Sequence, residues 1–113
     1  LPILVAESEN GTIGFATYGS FRQKEAYKFT IEHSVYVAEE FLGKGIGKLL
    51  LAELIQLAKN QGYHTMIGAI DADNSGSITF HEKFGFKSVG TIRQVGYKFD
   101  KWLDLVFMQL ILK

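Results

Sequence analysis

Leu42-Gly43-Lys44-Gly45-Ile46-Gly47-Lys48 decides the fold, because it joins two stretches of different periodicity. Ahead of it, Tyr27 to Val37 is rich in β-branched and aromatic residues and reads as a long strand. One side of that strand carries Phe29, Ile31, Val35 and Val37, the other Thr30, Glu32, Ser34 and Tyr36. Behind it, Gly45 to Gln61 reads as a helix. Ile46, Leu50, Leu54 and Leu57 recur at helical spacing, and Leu49, Leu51 and Ala58 widen the stripe. Gly62 is placed to end this helix.

Working outward, Leu4 to Ala6 and Thr12 to Tyr18 read as two strands joined by a Glu9-Asn10-Gly11 turn, since Asn-Gly accepts the positive φ of a tight hairpin. Downstream, Thr65 to Ile70 is a short buried strand. Asn74 caps a second helix running to about Phe84, and Gly85 stops it. Phe86 to Gln94 and Trp102 to Leu112 are the last strands, joined by a loop that holds Gly96, Tyr97 and Asp100. The order β-β-β-α-β-α-β-β predicts a mixed sheet with helices on its faces, hence α/β or α+β, in one domain over residues 1–113.

The 12 Lys and Arg balance the 12 Asp and Glu, which leaves no basic footprint for nucleic acid and no polybasic membrane patch. With no cysteine, a disulfide framework, a thiolate metal site and a cysteine nucleophile are excluded, and a reducing compartment such as the cytoplasm fits. No apolar run is long enough to span a bilayer as a helix. Leu1 to Ala6 lacks the basic leader of a signal peptide and reads as strand. The first residue is not Met, as expected of a chain that begins inside a longer one.

The glycine turn carries the chemistry. Glycines let amides converge on one point, and a helix N-terminus adds partial positive charge, so such a nest receives phosphate oxygens. Lys44 and Lys48 add charge beside it. A P-loop fails twice: Gly47-Lys48 is followed by Leu49, and the earlier glycine position is Leu42. The dinucleotide fingerprint fails in spacing, which here is Gly43-x-Gly45-x-Gly47 with no β-α-β unit before it. A turn that merely starts a helix remains open. So does the pyrophosphate loop of GNAT acetyltransferases, Arg/Gln-x-x-Gly-x-Gly/Ala, which Gly45 and Gly47 match and Leu42, at the Arg/Gln position, does not.

Beyond this loop the chain resembles the phosphinothricin acetyltransferase group of the GNAT superfamily over nearly its whole length. The matching segments are Ile31 to Val37, Gly43 to Gly47, Asn74 to Phe86 and Val95 to Asp104, in order and at compatible spacing. The resemblance implies transfer of an acetyl group from acetyl-CoA to a primary amine by direct attack, with an amino-acid-like compound as the leading acceptor. It implies Glu32 as the base that takes a proton from the amine, and His81 as its assistant. Glu32 on the polar side of its strand also reads as a solvated carboxylate. Partial burial would raise its pKa toward a useful base. His81 shares a helix face with Ser77 and Phe84, and His33 and His64, which lack a motif, read as structural.

By the same resemblance, the backbone amides of Val35 and Val37 hold the thioester carbonyl and pantetheine arm. Leu42, Gly43, Lys44, Gly45, Ile46, Gly47 and Lys48 take the pyrophosphate, and Asn74 and Ser77 meet the arm from the second helix. Tyr36, Tyr97, Lys98 and Trp102 shape the acceptor pocket. Asn74 is equally a plain helix cap, and Trp102 equally a core residue. No metal is implied, and a homodimer is, since family members commonly dimerise. The family opens with a strand and two helices that cover part of the acceptor site; nothing here corresponds to them, so the match starts at the second family strand. Alternative readings are a GNAT enzyme for a polyamine, an aminoglycoside or a protein N-terminus, and a module that binds acetyl-CoA without turnover.

Overall fold

The structure is a computed structural model and describes residues 2–9 and 11–113. Strands β1 (Ile3–Ser8) and β2 (Gly11–Ser20) pair antiparallel, with Val5 opposite Phe15 and Leu4 opposite Ala16. The turn expected between them falls on Asn10, outside the described residues. Gly11 follows it with a φ of 117°, a conformation only glycine adopts freely.

Strand β3 (Thr30–Val37) starts later than the sequence suggests. Glu25–Tyr27 forms a 3-10 turn, closed by a bond from the Tyr27 N–H to the Lys24 carbonyl (2.9 Å) and by a Lys28–Glu25 ion pair. Phe29 therefore lies ahead of the strand and is exposed. The side of β3 that turns inward carries Ile31, His33, Val35 and Val37.

Helix α1 (Ile46–Asn60) buries Leu50, Leu51, Leu54 and Ala58. Leu49, expected in the apolar stripe, is 70% exposed, because it lies to one side of the line through Leu50, Leu54 and Ala58. Gly62, at φ 86°, ends the helix with its N–H on the Lys59 carbonyl, as expected. Strand β4 (Thr65–Asp71) follows, nearly all buried, and then α2 (Ser75–Lys83), capped by Asn74 and stopped at Gly85.

The last two strands, β5 (Lys87–Lys98) and β6 (Lys101–Ile111), make one long hairpin. The loop expected around Gly96 and Tyr97 is instead strand, and the turn is just Phe99-Asp100, with φ 53° and 58°. Both positive values define the tight turn that suits twisted strands. The break expected at Gln94 is a bulge: Gln94 has φ 53°, the register shifts between Ile92 and Gly96, and the Gln94 N–H is held by Asp104 Oδ1 at 2.8 Å.

Among the described residues six strands run in the order β1-β2-β3-β4-β6-β5, and only β3 and β4 are parallel, joined through α1. Ala16, Tyr18, Ile31 and Met66 meet the buried stripe of α1 to form the core, which Phe86, Met108 and Leu112 extend. The mixed sheet expected from the element order is present. Both helices lie on the face that presents Ile31 and His33. On the other face, the cross-strand row Val5, Phe15 and Tyr36 is exposed, with Ile3 beside it.

Candidate active site

The site starts where two parallel strands separate. β3 and β4 pair from Thr30–Thr65 to His33–Gly68, and their register ends there, although β3 runs on to Val37 and β4 to Asp71. Two bonds fix which way the β3 backbone points beyond that: Phe21 N–H to the Thr30 carbonyl (3.3 Å) and Ala38 N–H to the Ile13 carbonyl (2.7 Å). Antiparallel ladders alternate, so even-numbered residues of β3 direct their N–H and C=O groups to β2. Val35 and Val37, being odd, direct theirs into the gap that β4 has left. Buried backbone groups need partners, so this edge is ready to receive an extended amide-bearing ligand.

The glycine turn closes one end of the gap. A 3-10 turn, Glu39–Phe41, leads into it, and Gly43 (φ 79°) and Gly45 (φ 81°) take the left-handed conformation. Gly45 caps α1 without a side-chain hydrogen bond. Leu49 is the first residue of the helix to bond back, its N–H meeting the Gly45 carbonyl at 3.1 Å. The amides of Ile46, Gly47 and Lys48 are thus the uncapped helix donors. A Cβ on Gly47 would stand 3.5 Å from both Phe80 and Val37, an ordinary contact, so this glycine sits where α1 meets β3 and α2.

Helix α2 forms the far wall. Asn74 Oδ1 accepts the Ser77 N–H at 3.1 Å, so its capping role is real. The resulting pocket has a volume of about 610 Å³ and is lined by Val35, Tyr36, Val37, Leu42, Gly43, Gly45, Ile46, Gly47, Lys48, Asn74, Ser77 and His81, together with Phe41, Gly76 and Phe80. The lining thus gathers every residue expected to hold the cofactor except Lys44, along with Tyr36 and His81.

His81 is buried at 6% exposure, against the usual surface place of a helix histidine. Its Nδ1 lies 2.8 Å from the Ser77 carbonyl, and its Nε2 lies 3.0 Å from Nε2 of His33. His33 Nδ1 in turn is 3.0 Å from the Ile67 carbonyl, and Phe86 packs against both rings. Burial, and then the charge of His81, hold the His33 pKa down to about 4 against the pull of the Ile67 carbonyl. Burial also lowers His81, against its bond to Ser77. The two rings border a smaller cleft of about 190 Å³ between β3 and β4, which Ser34 and Asp71 share.

The remaining expected residues lie elsewhere. Glu32 is exposed, on the sheet face away from the helices, in register with Gly19 and Ile67, so the partial burial expected of it is absent. Trp102 is 60% exposed and packs edge-on against Tyr97 at 4.9 Å, which overturns its reading as core. Lys98 sits over the Phe99 ring at 5.2 Å. These three belong to the β5–β6 hairpin, anchored beside α2 by a Lys101–Asp73 ion pair (2.9 Å) and by the Ala72 N–H on the Asp104 carbonyl. They do not line the pocket. His33 is the residue that sequence reasoning passed over. It lies between Ile31 and Val35 in the alternation of β3, which is a signal that it faces inward.

Residues 1–86 match the acetyltransferase (GNAT) family, and the chain belongs to that family. Within it the similarity runs to the phosphinothricin acetyltransferase-like members. An L-methionine sulfoximine/L-methionine sulfone acetyltransferase of Pseudomonas aeruginosa is 49% identical over 110 residues, 96% of this chain and 64% of the relative. The crystal structure of an N-acetyltransferase from Staphylococcus aureus Mu50 superposes with a TM-score of 0.95 at 54% identity, covering 99% of this chain and 68% of that one. That of a phosphinothricin acetyltransferase from Sinorhizobium meliloti in complex with acetyl-CoA gives 0.92 at 41% identity, covering 98% and 60%. The chain spans slightly under two thirds of the length of the curated relatives it matches.

Proposed function

We propose that this chain is the acetyl-CoA-binding and catalytic part of an N-acetyltransferase acting on the primary amine of a small amino-acid-like acceptor. The observation that carries the reading is the convergence of three features on one pocket: the unpaired edge of β3 at Val35 and Val37, the glycine turn at the uncapped start of α1, and the Asn74–His81 face of α2. The pantetheine arm is itself a chain of amides, so it continues the ladder that β4 abandons. The pyrophosphate falls to the amides of the turn and to Lys48. The thioester carbonyl then meets preorganised N–H groups on β3, which stabilise the oxyanion formed when the amine attacks. Glu32, two residues after the start of β3, takes the proton the amine must lose.

The acceptor class rests on the relatives, whose named substrates are methionine sulfoximine, methionine sulfone and phosphinothricin. Tyr97, Lys98 and Trp102 would shape the acceptor side from the hairpin. The same proposal treats the 113 residues as one domain, sited in the cytoplasm and pairing as a homodimer. No helix among the described residues is long and apolar enough to cross a membrane, and no group of three or more metal-ligating side chains occurs among them.

A second reading, binding of acetyl-CoA without turnover, is favoured by one observation: Glu32 stands on the sheet face remote from the helices and lines neither pocket. Release of free thiol from acetyl-CoA over a panel of amines separates the two. Turnover with methionine sulfone or phosphinothricin supports the enzyme. Tight CoA binding with no thiol release from any amine, both in this chain and in one extended to the length of the curated relatives, leaves only the binding module.

A further inference from the structure

The contacts of the two buried histidines can be counted in protons. A carbonyl oxygen only accepts, so the Ile67 carbonyl at 3.0 Å requires a proton on His33 Nδ1, and the Ser77 carbonyl at 2.8 Å requires one on His81 Nδ1. Nε2 of each ring is then a bare lone pair if both rings are neutral, and these two atoms are 3.0 Å apart. Three contacts need three protons, and two neutral imidazoles carry two. The Ser77 hydroxyl offers no way out. It lies 3.5 Å from His81 Nδ1, and donating there would leave that nitrogen's lone pair against the Ser77 carbonyl at 2.8 Å.

We infer that the His33–His81 pair holds one proton between its two Nε2 atoms, so that a single buried positive charge stands behind the pocket and His33 is the positioning residue that maintains it. Burial pushes both rings toward neutrality even with the carbonyl bonds opposing it. The Nε2–Nε2 contact restores one charge, because a shared proton there replaces a lone-pair clash with a charge-assisted bond, about twice as strong as a neutral one. A second proton is excluded near neutrality, because it would put two cations in ring contact. The other titratable groups on the walls around the pair are Asp71 in the small cleft and Lys48 in the large pocket; the Tyr36 ring packs on Phe15 across the sheet. Glu32 faces the other side of β3, and Glu82 and Lys83 of α2 are exposed.

The consequence for the proposed transfer, on which this part of the inference rests, is specific. Both nitrogens of His81 are engaged inside the protein, so His81 does not remove the proton of the amine. The pair acts as a fixed charge that favours the oxyanion and the departing thiolate.

The test is the imidazole ¹⁵N spectrum of the unliganded 113-residue chain at pH 7, read by long-range ¹H–¹⁵N correlation. Protonated Nδ1 on both rings, with both Nε2 signals shifted toward the protonated position, is the expected result. Two neutral rings with bare Nε2 signals overturn the proposal, and no variant is needed to see this. In His33→Gln the side-chain amide can donate to His81 Nε2, so His81 is expected to become a neutral Nδ1–H imidazole. An unchanged His81 spectrum would also overturn it. In turnover, His33→Gln is expected to lower kcat about tenfold with KM for acetyl-CoA unchanged. A parent chain that shows three protons but releases no thiol fails the proposed function and leaves the proton count standing.

Discussion

At Gly47 the missing side chain leaves open space between α1, β3 and α2. Its Cβ position is 3.5 Å from Phe80 and Val37, an ordinary contact, so Gly47→Ala is expected to fold normally. The added methyl narrows the gap where the pyrophosphate enters, and CoA affinity is expected to fall roughly tenfold by calorimetry, equivalent to about 1.4 kcal/mol. Unchanged affinity would remove the turn from the binding site. Gly45 gives a less clean answer, since at φ 81° any side chain adds about 1–2 kcal/mol of backbone strain whatever it does to the ligand. Glu32→Gln is expected to cost roughly 10²–10⁴ in rate if Glu32 is the base, with CoA affinity nearly constant. A full rate with a small amine at neutral pH would place the base elsewhere. His33 makes a separate prediction about stability. With one proton already held by the pair, burial and the charge of His81 hold the His33 pKa for a second down to about 4, against near 6.5 when unfolded. The unfolded chain therefore binds the extra proton first, and stability is lost as pH falls from about 6.5 toward 4. Urea midpoints at pH 6.5 and pH 4.5 should show this loss, on the order of 3 kcal/mol at most.

At the scale of elements, legibility followed local chemistry. α1 and α2 were readable because Gly45, Gly62, Asn74 and Gly85 punctuate them and their apolar residues recur at helical spacing. β4 was readable as an apolar run with buried neighbours on both sides. The glycine turn and Asn74, which line the large pocket, were legible as candidates because backbone chemistry ties them to position. His33 was not, because the alternation of β3 says only that it faces inward; its meaning comes from His81, 48 residues away. The β5–β6 loop was expected too long for a different reason. Phe99 and Asp100 both adopt positive φ, where a bulky residue is an outlier, so no turn signal is written there. The long ladder on either side enforces the conformation. Asp100→Gly relieves part of that strain and is expected to raise stability by about 0.5–1 kcal/mol in thermal unfolding. A lower melting temperature would mean that the Asp100 side chain contributes more than its backbone costs.

The whole molecule divides into a finished side and an open one. On the helix side, β3, the glycine turn, α1 and α2 enclose the pocket with their own side chains. On the other side Ile3, Val5, Phe15 and Tyr36 form an exposed apolar row, and Tyr97, Phe99 and Trp102 extend from the hairpin. Glu32 lies on this open face, so an amine that meets Glu32 does so without walls among the described residues. Holding reactants in attack geometry supplies several kcal/mol of a barrier, and an open face gives up much of that while admitting water to the thioester. The 113-residue chain is therefore expected to bind CoA with an affinity set by the pocket and yet to acetylate slowly. Apolar patches of this kind also favour self-association, so the chain should sediment above its monomer mass, and Val5→Lys with Phe15→Ser should return it toward monomer without weakening CoA binding. A longer chain, extended to the full length of the curated relatives, should gain in kcat far more than in CoA affinity. Full-rate, specific acetylation by a monomer of these 113 residues would show that the open face is not the acceptor side and that the amine reaches the thioester from within the pocket.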